Sequence, residues 1–363
     1  MTKPIKPKQN QDFTERAAEM VTIKQIAEQL GVSPTTVSNV INGRTEKMSE
    51  KTRQRIEELL VANHYVQEKK GRGEQEELKL VVAWFFFEGR ERVFTDPFCS
   101  EVFGALEKEL RKRGRYLICS TQNAEEDLIK NLSFHEVEGA IILGCDPSRC
   151  EALSKRLPKP VVFIDSGEGN YDNIGLRDRE GTSELISYLV KQGHRKIAFF
   201  CDEKKPLASN GARYRGFLDA VQVYGLSFDE KLDYYYVPSE KNMRYEVFRQ
   251  FAKNLCENKA YTAAFFCCDL YANEAISVFF SQGVRVPEDF SVAGFDDNIY
   301  ARMSRPALTT VRQSPSDKGK EAVKLLMKRI YGEEVYVRNL ELPTELIVRE
   351  SVKNIWKNKI QEK

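Results

Sequence analysis

The sequence has no apolar run approaching the ~18 residues that a membrane-spanning helix needs. Its first residues, MTKPIKPKQN, set no apolar stretch behind their lysines and do not read as a secretion signal. Histidine is scarce: His64, His135 and His194 are the three, and none sits in a nucleophile–base pattern, so enzymatic chemistry is not expected. No glycine-rich phosphate loop or dinucleotide fingerprint follows any apolar run. The eight cysteines form no C-x-x-C pair and no Cys/His cluster, so no metal is expected. Cys119, Cys201 and Cys267 lie in apolar runs, where a thiol packs as a small hydrophobe, and a reduced cytoplasm fits this usage. Charge of one sign is also missing. Lys and Arg number 56 against 54 Asp and Glu, a balance of +2, so any hold on nucleic acid must be local.

What is present begins at Val21–Asn42, VTIKQIAEQLGVSPTTVSNVIN. Apolar residues recur at helical spacing (Ile23, Ile26, Ala27, Leu30, then Val37, Val40, Ile41), interrupted once at Gly31-Val32-Ser33. Glycine ends the first helix, Thr22 caps its start, Ser33 caps the second helix and Pro34 suits its first position. The pattern predicts a helix-turn-helix whose second helix enters the DNA major groove. That helix shows Thr35, Thr36, Ser38, Asn39 and Asn42 and no carboxylate; an ordinary polar-faced helical hairpin is the plainer alternative. Ser49 predicts the cap of a third helix running to about Ala62, closed by Ile56, Leu59 and Leu60, with Lys51, Arg53 and Arg55 on its early turns.

Beyond Leu78, short apolar runs (79–87, 116–119, 139–143, 161–164, 196–201, 263–267, 291–295) alternate with helical segments such as 100–113, 181–192, 211–224, 270–282 and 315–331. Such alternation predicts parallel sheets covered on both faces. The pattern alone allows two α/β lobes or a single barrel.

At TIKQIAEQLGVSPTTVSNVING the chain resembles the head of LacI/GalR-type transcriptional regulators, and MSEKTRQRIEELLVANHY resembles their third helix and its close. KQGHRKIAFF, SNGARYRGFLDAV, GVRVPEDFSVAGFDD, RPALTTVRQ and LPTELIVRES resemble later motifs of the same family, so the likeness spans residues 21 to about 352. It implies an N-terminal all-α helix-turn-helix headpiece followed by a two-lobed α/β periplasmic-binding-protein-like domain with parallel sheets. The implied divisions are a tail (1–19), a headpiece (20–65), a linker (66–77), the two-lobed domain (78–352) and a C-terminal tail (353–363). Lobe 1 would hold about 78–177 and 311–332, and lobe 2 about 178–308 and 336–352. The linker VQEKKGRGEQEE departs from the family, lacking the proline, alanine and leucine of its minor-groove hinge helix.

The resemblance assigns base reading to Pro34, Thr35 and Asn39, and phosphate contact to Thr22, Ser33, Asn42 and Tyr65; Thr36 joins the DNA-binding set from its place on the helix. Family effector positions fall on Phe98, Asp165, Ser209, Arg213 and Asp296. Asp269 reads more simply as a helix N-cap. Cys268 and Arg177-Asp178 replace the family's usual residues beside the cleft. The function expected is a sequence-specific repressor, a homodimer on a near-palindromic double-stranded operator, controlled by a small molecule, a sugar by preference. A partner-gated regulator with a degenerate cleft and a solute-binding module are the alternatives.

Overall fold

The computed structural model describes residues 22–41, 44–45, 48–62, 79–85, 93–120, 125–133, 136–204, 211–258, 260–333, 336 and 339–356. The expectations placed on Asn42, Tyr65, Ser209, the tail 1–19 and the linker 66–77 lie outside these residues. The chain divides into two units, residues 1–75 and 76–363. No described helix is long and apolar enough to cross a membrane.

In the first unit, α1 (Ile23–Leu30), α2 (Pro34–Ile41) and α3 (Glu50–Ala62) follow the predicted bounds closely. The reason is local chemistry at each end. Thr22 and Gln25 form a reciprocal capping box on α1. Gly31 then takes the left-handed conformation, φ 66°, and the amides of Gly31 and Val32 return to carbonyls of the last turn. Ser33 Oγ accepts from the Thr36 amide at 3.1 Å, and Ser49 Oγ from that of Thr52 at 3.2 Å. Ile26, Ala27, Val37, Val40 and Ile56 form the buried centre, with Leu59 and Leu60 packed against it.

The second unit holds two six-stranded sheets. β1 (Leu80–Phe85), α4 (Pro97–Arg111), β2 (Tyr116–Ser120), α5 (Glu125–Leu132), β3 (Val137–Leu143), α6 (Pro147–Arg156), β4 (Val161–Ile164) and β5 (Asn173–Leu176) build lobe 1. Lobe 2 is built from α7 (Asp178–Lys191), β6 (Ile197–Cys201), α8 (Ala212–Tyr224), α9 (Glu230–Asp233), β7 (Tyr234–Tyr236), α10 (Lys241–Asn258), β8 (Ala263–Phe266), α11 (Asp269–Ser281), β9 (Ser291–Asp296), α12 (Ile299–Met303) and β10 (Thr309–Arg312). The chain then returns α13 (Pro315–Ile330) and β11 (Asn339–Leu342) to lobe 1 and ends with β12 (Glu345–Ile347) in lobe 2. Strand orders are β11-β5-β4-β3-β1-β2 and β12-β10-β9-β8-β6-β7; every pairing is parallel except β10 with β12.

Three crossings therefore join the lobes: at Arg177, at 313–314 and at 343–344. The last two correct the expected lobe boundaries. Residues 311–312 pair with β9 in lobe 2, and 339–342 pair with β5 in lobe 1. Polar, four-residue strands such as TTVR and NLEL carry little apolar signal, so only their ladder partners reveal which sheet they join.

The apolar run of β1 divides by alternation. Val81, Ala83 and Phe85 face α4 and α13, while Val82 and Trp84 face α5 and α6. Helix α13 approaches α4 so closely that a Cβ at Gly319 would lie 2.8 Å from that of Ala105. Lobe 2 has one continuous core, with the Phe200 ring stacked on Tyr235 at 4.7 Å and on Phe266 at 4.4 Å across three neighbouring strands.

Candidate functional site

On α2, Pro34 and Thr35 are exposed, whereas Thr36, Ser38 and Asn39 are half-buried. The outer face is thus narrower than the sequence suggested, because Thr36 Oγ1 lies 2.8 Å from Ser33 Oγ and folds back on the cap. Thr22, exposed, is engaged by Gln25 Oε1 through both its amide and its hydroxyl. Arg53 on α3 pairs with Glu57 at 2.7 Å rather than standing free for phosphate. What remains outward is a short uncharged helix face with an amide and hydroxyls, suited to base edges and phosphates.

In the second unit, the carboxyl ends of β4, β6, β8 and β9 open onto a cleft of about 880 Å³ that contains Phe98, Asp165, Arg213 and Asp296 on its walls. Four of the five expected effector residues are therefore brought together, and Ser209 lies outside the described residues. Asp165 and Asp296 both hold positive φ, 53° and 120°, conformations uncommon for residues with a Cβ and concentrated at sites that need them.

Asp165 is occupied by a residue that sequence reasoning missed. Lys318 Nζ donates to both Asp165 oxygens at 2.7 Å and to Gln313 Oε1 at 2.6 Å, above the Phe98 ring at 4.9 Å. Burial pushes the Asp165 carboxyl above its usual range, and the Lys318 ammonium pulls it partway back. Lys318 had a signal: it falls on the stripe Pro315, Lys318, Gly319, Ala322, Val323, Leu326, which is the buried face of α13.

Gln313, on the second crossing, turns its amide to the other lobe and donates to Asp296 Oδ1 at 2.6 Å. Burial raises the Asp296 carboxyl to about 6, while Arg213 and Gln313 oppose the rise. Arg213 stacks on Phe295 at 3.7 Å, donates to Asp178 Oδ1 at 2.7 Å and to the Cys267 carbonyl at 2.5 Å, and stands 3.7 Å from Asp296. Burial works against the Arg213 charge, but Asp178 and Asp296 outweigh it and hold the guanidinium above its ordinary value. Asp178, of the pair that replaces the family's usual residues, thus supplies the closest charged partner of Arg213. The result is one polar chain, Asp165–Lys318–Gln313–Asp296–Arg213–Asp178, running through two crossings from lobe to lobe.

Asp269 does not cap its helix as expected. Cys268 occupies the cap position, and Asp269 is the first helical residue, fully buried, accepting from Thr310 Oγ1 at 2.7 Å and the Asn298 amide at 3.1 Å. Its neighbour Cys268 lines the cleft. His194 is fully buried at the entry to β6. Its Nδ1 meets Thr262 Oγ1 at 3.0 Å, its Nε2 faces the Lys353 carbonyl at 3.2 Å, and burial lowers it to about 4. A carbonyl can only accept, so Nε2 carries the proton.

Among the described residues, the cleft lining carries six carboxylates (Asp96, Asp165, Asp202, Glu240, Glu274, Asp296) against three cations (Arg213, Lys241, Arg244). Arg244 is already bidentate on Glu274, at 2.5 and 3.0 Å. A surplus of acceptors repels anions and favours uncharged molecules rich in donor groups.

Residues 22–67 match the family of bacterial regulatory proteins described as lacI, and residues 186–352 match a periplasmic binding protein-like domain. The HTH-type transcriptional repressor PurR of Mannheimia succiniciproducens is 31% identical over 351 residues, spanning 93% of this chain and all of that protein. A complex of the transcriptional regulator CelR with cellobiose superimposes with a TM-score of 0.65 at 26% identity, covering 91% of this chain and 99% of that one. A LacI family transcriptional regulator from Lactobacillus casei with bound sucrose does so at 0.64 and 25%, over 76% of this chain and 100% of that one. Identity at this level, sustained along both chains, makes the protein a member of the LacI family: a DNA-binding transcriptional repressor with a ligand-binding domain, and not an enzyme.

Proposed function

We propose that the chain acts in the cytoplasm as a homodimer on a near-palindromic operator, with an uncharged sugar or glycoside in the cleft setting its affinity for DNA. The observation that carries this reading is the polar chain through the crossings. A ligand whose hydroxyls donate to Asp296 competes with Gln313, and Gln313 also holds Lys318 in the other lobe. Binding therefore biases how the lobes close, and a ligand that favours one closure shifts the repressor between states of different operator affinity. The excess of carboxylates, and the two sugar-bound structures this chain resembles, support a polyol.

A purine is the second reading, favoured by the PurR relatives and by the aromatic rings of Phe98, Tyr271 and Tyr300 on the cleft wall. Calorimetry with matched panels of neutral sugars, sugar phosphates and purines separates the two. Neutral sugars are expected to bind and sugar phosphates to fail; heat from purines alone would replace the sugar reading.

On DNA, Pro34, Thr35 and Asn39 read bases, Thr22 and Ser33 hold phosphates, and Thr36 steadies the cap; Asn42 and Tyr65 join the phosphate set. The headpiece spans 20–65, and the sensing domain 78–352. Asn39→Ala should relax preference at one base position of the half-site by about 1–3 kcal/mol. Competition binding to an operator library measures this, and an unchanged preference would remove Asn39 from the reading set.

A further inference from the structure

Cys201 ends β6 and Cys267 directly follows β8, two strands that run parallel with Phe200 in register with Phe266. The next residue on each strand is therefore a cysteine, and the two sit side by side on one face, tied by the Cys267 amide to the Phe200 carbonyl at 2.9 Å. Asp202 Oδ1 lies 3.8 Å from Cys267 Sγ and 4.0 Å from Cys201 Sγ. All three donor atoms fall within 4.8 Å of one another, the only such group of three among the described residues. Both sulfurs are buried, yet Cys267 and Asp202 line the cleft, so the cluster has an approach from solvent.

We propose that Cys201, Cys267 and Asp202 form a binding site for a thiophilic divalent cation of the zinc class, set in the lobe 2 wall of the cleft. Zinc at about 2.3 Å from sulfur and 2.0–2.2 Å from oxygen needs tetrahedral edges of roughly 3.5–3.8 Å. The two sulfur–oxygen distances come within a few tenths of an ångström of that, so side-chain rotation suffices to close them. Two thiolates and one carboxylate suit zinc over calcium or magnesium, which demand oxygen. The second oxygen of Asp202 accepts from Tyr271 Oη at 2.9 Å, the outer hydrogen bond that fixes a ligating carboxylate. The cation displaces the two thiol protons to solvent, and three protein ligands leave its fourth position open to water or an effector oxygen.

The test needs neither operator nor effector, so its outcome is separate from the identity of the regulated genes or sugar. Full-length protein is stripped with a chelator and titrated with cobalt(II), which replaces zinc and reports thiolate ligands by a sulfur-to-metal charge-transfer band. One cobalt per chain is expected, displaced by zinc. Cys201→Ser and Cys267→Ser should each halve the band and weaken retention by more than about a hundredfold, beyond the loss an outer partner alone would cause. Asp202→Asn should weaken retention with the band kept. Cys256→Ser, exposed on α10, and the buried pair Cys145→Ser/Cys150→Ser should leave the band unchanged. Should a variant fail to fold, zinc protection of Cys201 and Cys267 from alkylation in the native protein, read by mass spectrometry, gives the same answer. A missing band, a band surviving in the Cys201→Ser/Cys267→Ser variant, or a Cys201–Cys267 disulfide in place of metal uptake would overturn the proposal.

Discussion

The two lobes repeat one strand order, and in each an aspartate at positive φ stands at the carboxyl end of the sheet's third strand, β4 or β9, beside a cation that is buried in lobe 1 (Lys318) and half-buried in lobe 2 (Arg213). Yet the two aspartates differ in what is left of them. Asp165 gives both oxygens to Lys318 at 2.7 Å, whereas Asp296 keeps its arginine at 3.7 Å and is held by a neutral amide. A carboxylate whose two oxygens both hold one ammonium serves as an anchor. One held by a replaceable amide retains acceptor capacity for a ligand. Equivalent positions in a repeated topology thus hold a locked carboxylate in lobe 1 and one with spare acceptor capacity in lobe 2.

The largest expected effect breaks the lobe 1 anchor. Lys318→Met strips the half-buried Asp165 of its ammonium partner and should cost about 3 kcal/mol of unfolding free energy, the low end for a broken buried pair because Asp165 keeps some contact with solvent. Denaturant titration reads this, and Lys318→Met/Asp165→Asn should recover most of the loss; no recovery would mean that Lys318 acts by packing alone.

Next comes acid. His194, in lobe 2, is held neutral down to about pH 4, whereas the unfolded chain takes up its proton near 6.5. A lowered folded value means that the unfolded state binds more protons between those limits. Stability should fall by about 3 kcal/mol as pH drops from 6.5 to 4. Replacing His194 with Gln should flatten the melting profile across that window, and an unaltered profile would sink the assignment.

The smallest effects sharpen the contrast itself. Asp296→Asn should cut effector affinity by about 1–3 kcal/mol with little change in stability, since it removes acceptor strength from a polar wall. Asp165→Asn should do the reverse, lowering stability through the orphaned Lys318 ammonium more than affinity. Calorimetry beside thermal melts of the two variants tests the pair, and equal effects would erase the distinction.

The headpiece was legible almost residue by residue, because its bounds depend on caps and a glycine that act within four residues: Thr22, Gly31, Ser33, Ser49. The apolar strands and the long helices were legible by periodicity. The narrow face of α2 was not, since Thr36 turns to Ser33 instead of outward. Within the cleft, Phe98, Asp165, Arg213 and Asp296 were placed by resemblance, but their working partners were hidden. Lys318 is 153 residues from Asp165, and Asp178 is 35 from Arg213. Only its ladder with β5 shows that NLEL belongs to lobe 1.

By itself the sequence determined the helix-turn-helix and the alternation of strand and helix, because each depends on short-range pattern. The tertiary structure decided which aspartate is anchored and which is available, and which cysteines meet. Cys267 stands 65 residues from Asp202, and no local spacing could announce that cluster. The physical reason is the parallel sheet. Its strands are neighbours in space but far apart along the chain, so the chemistry at their carboxyl ends is assembled only when register and crossings are fixed.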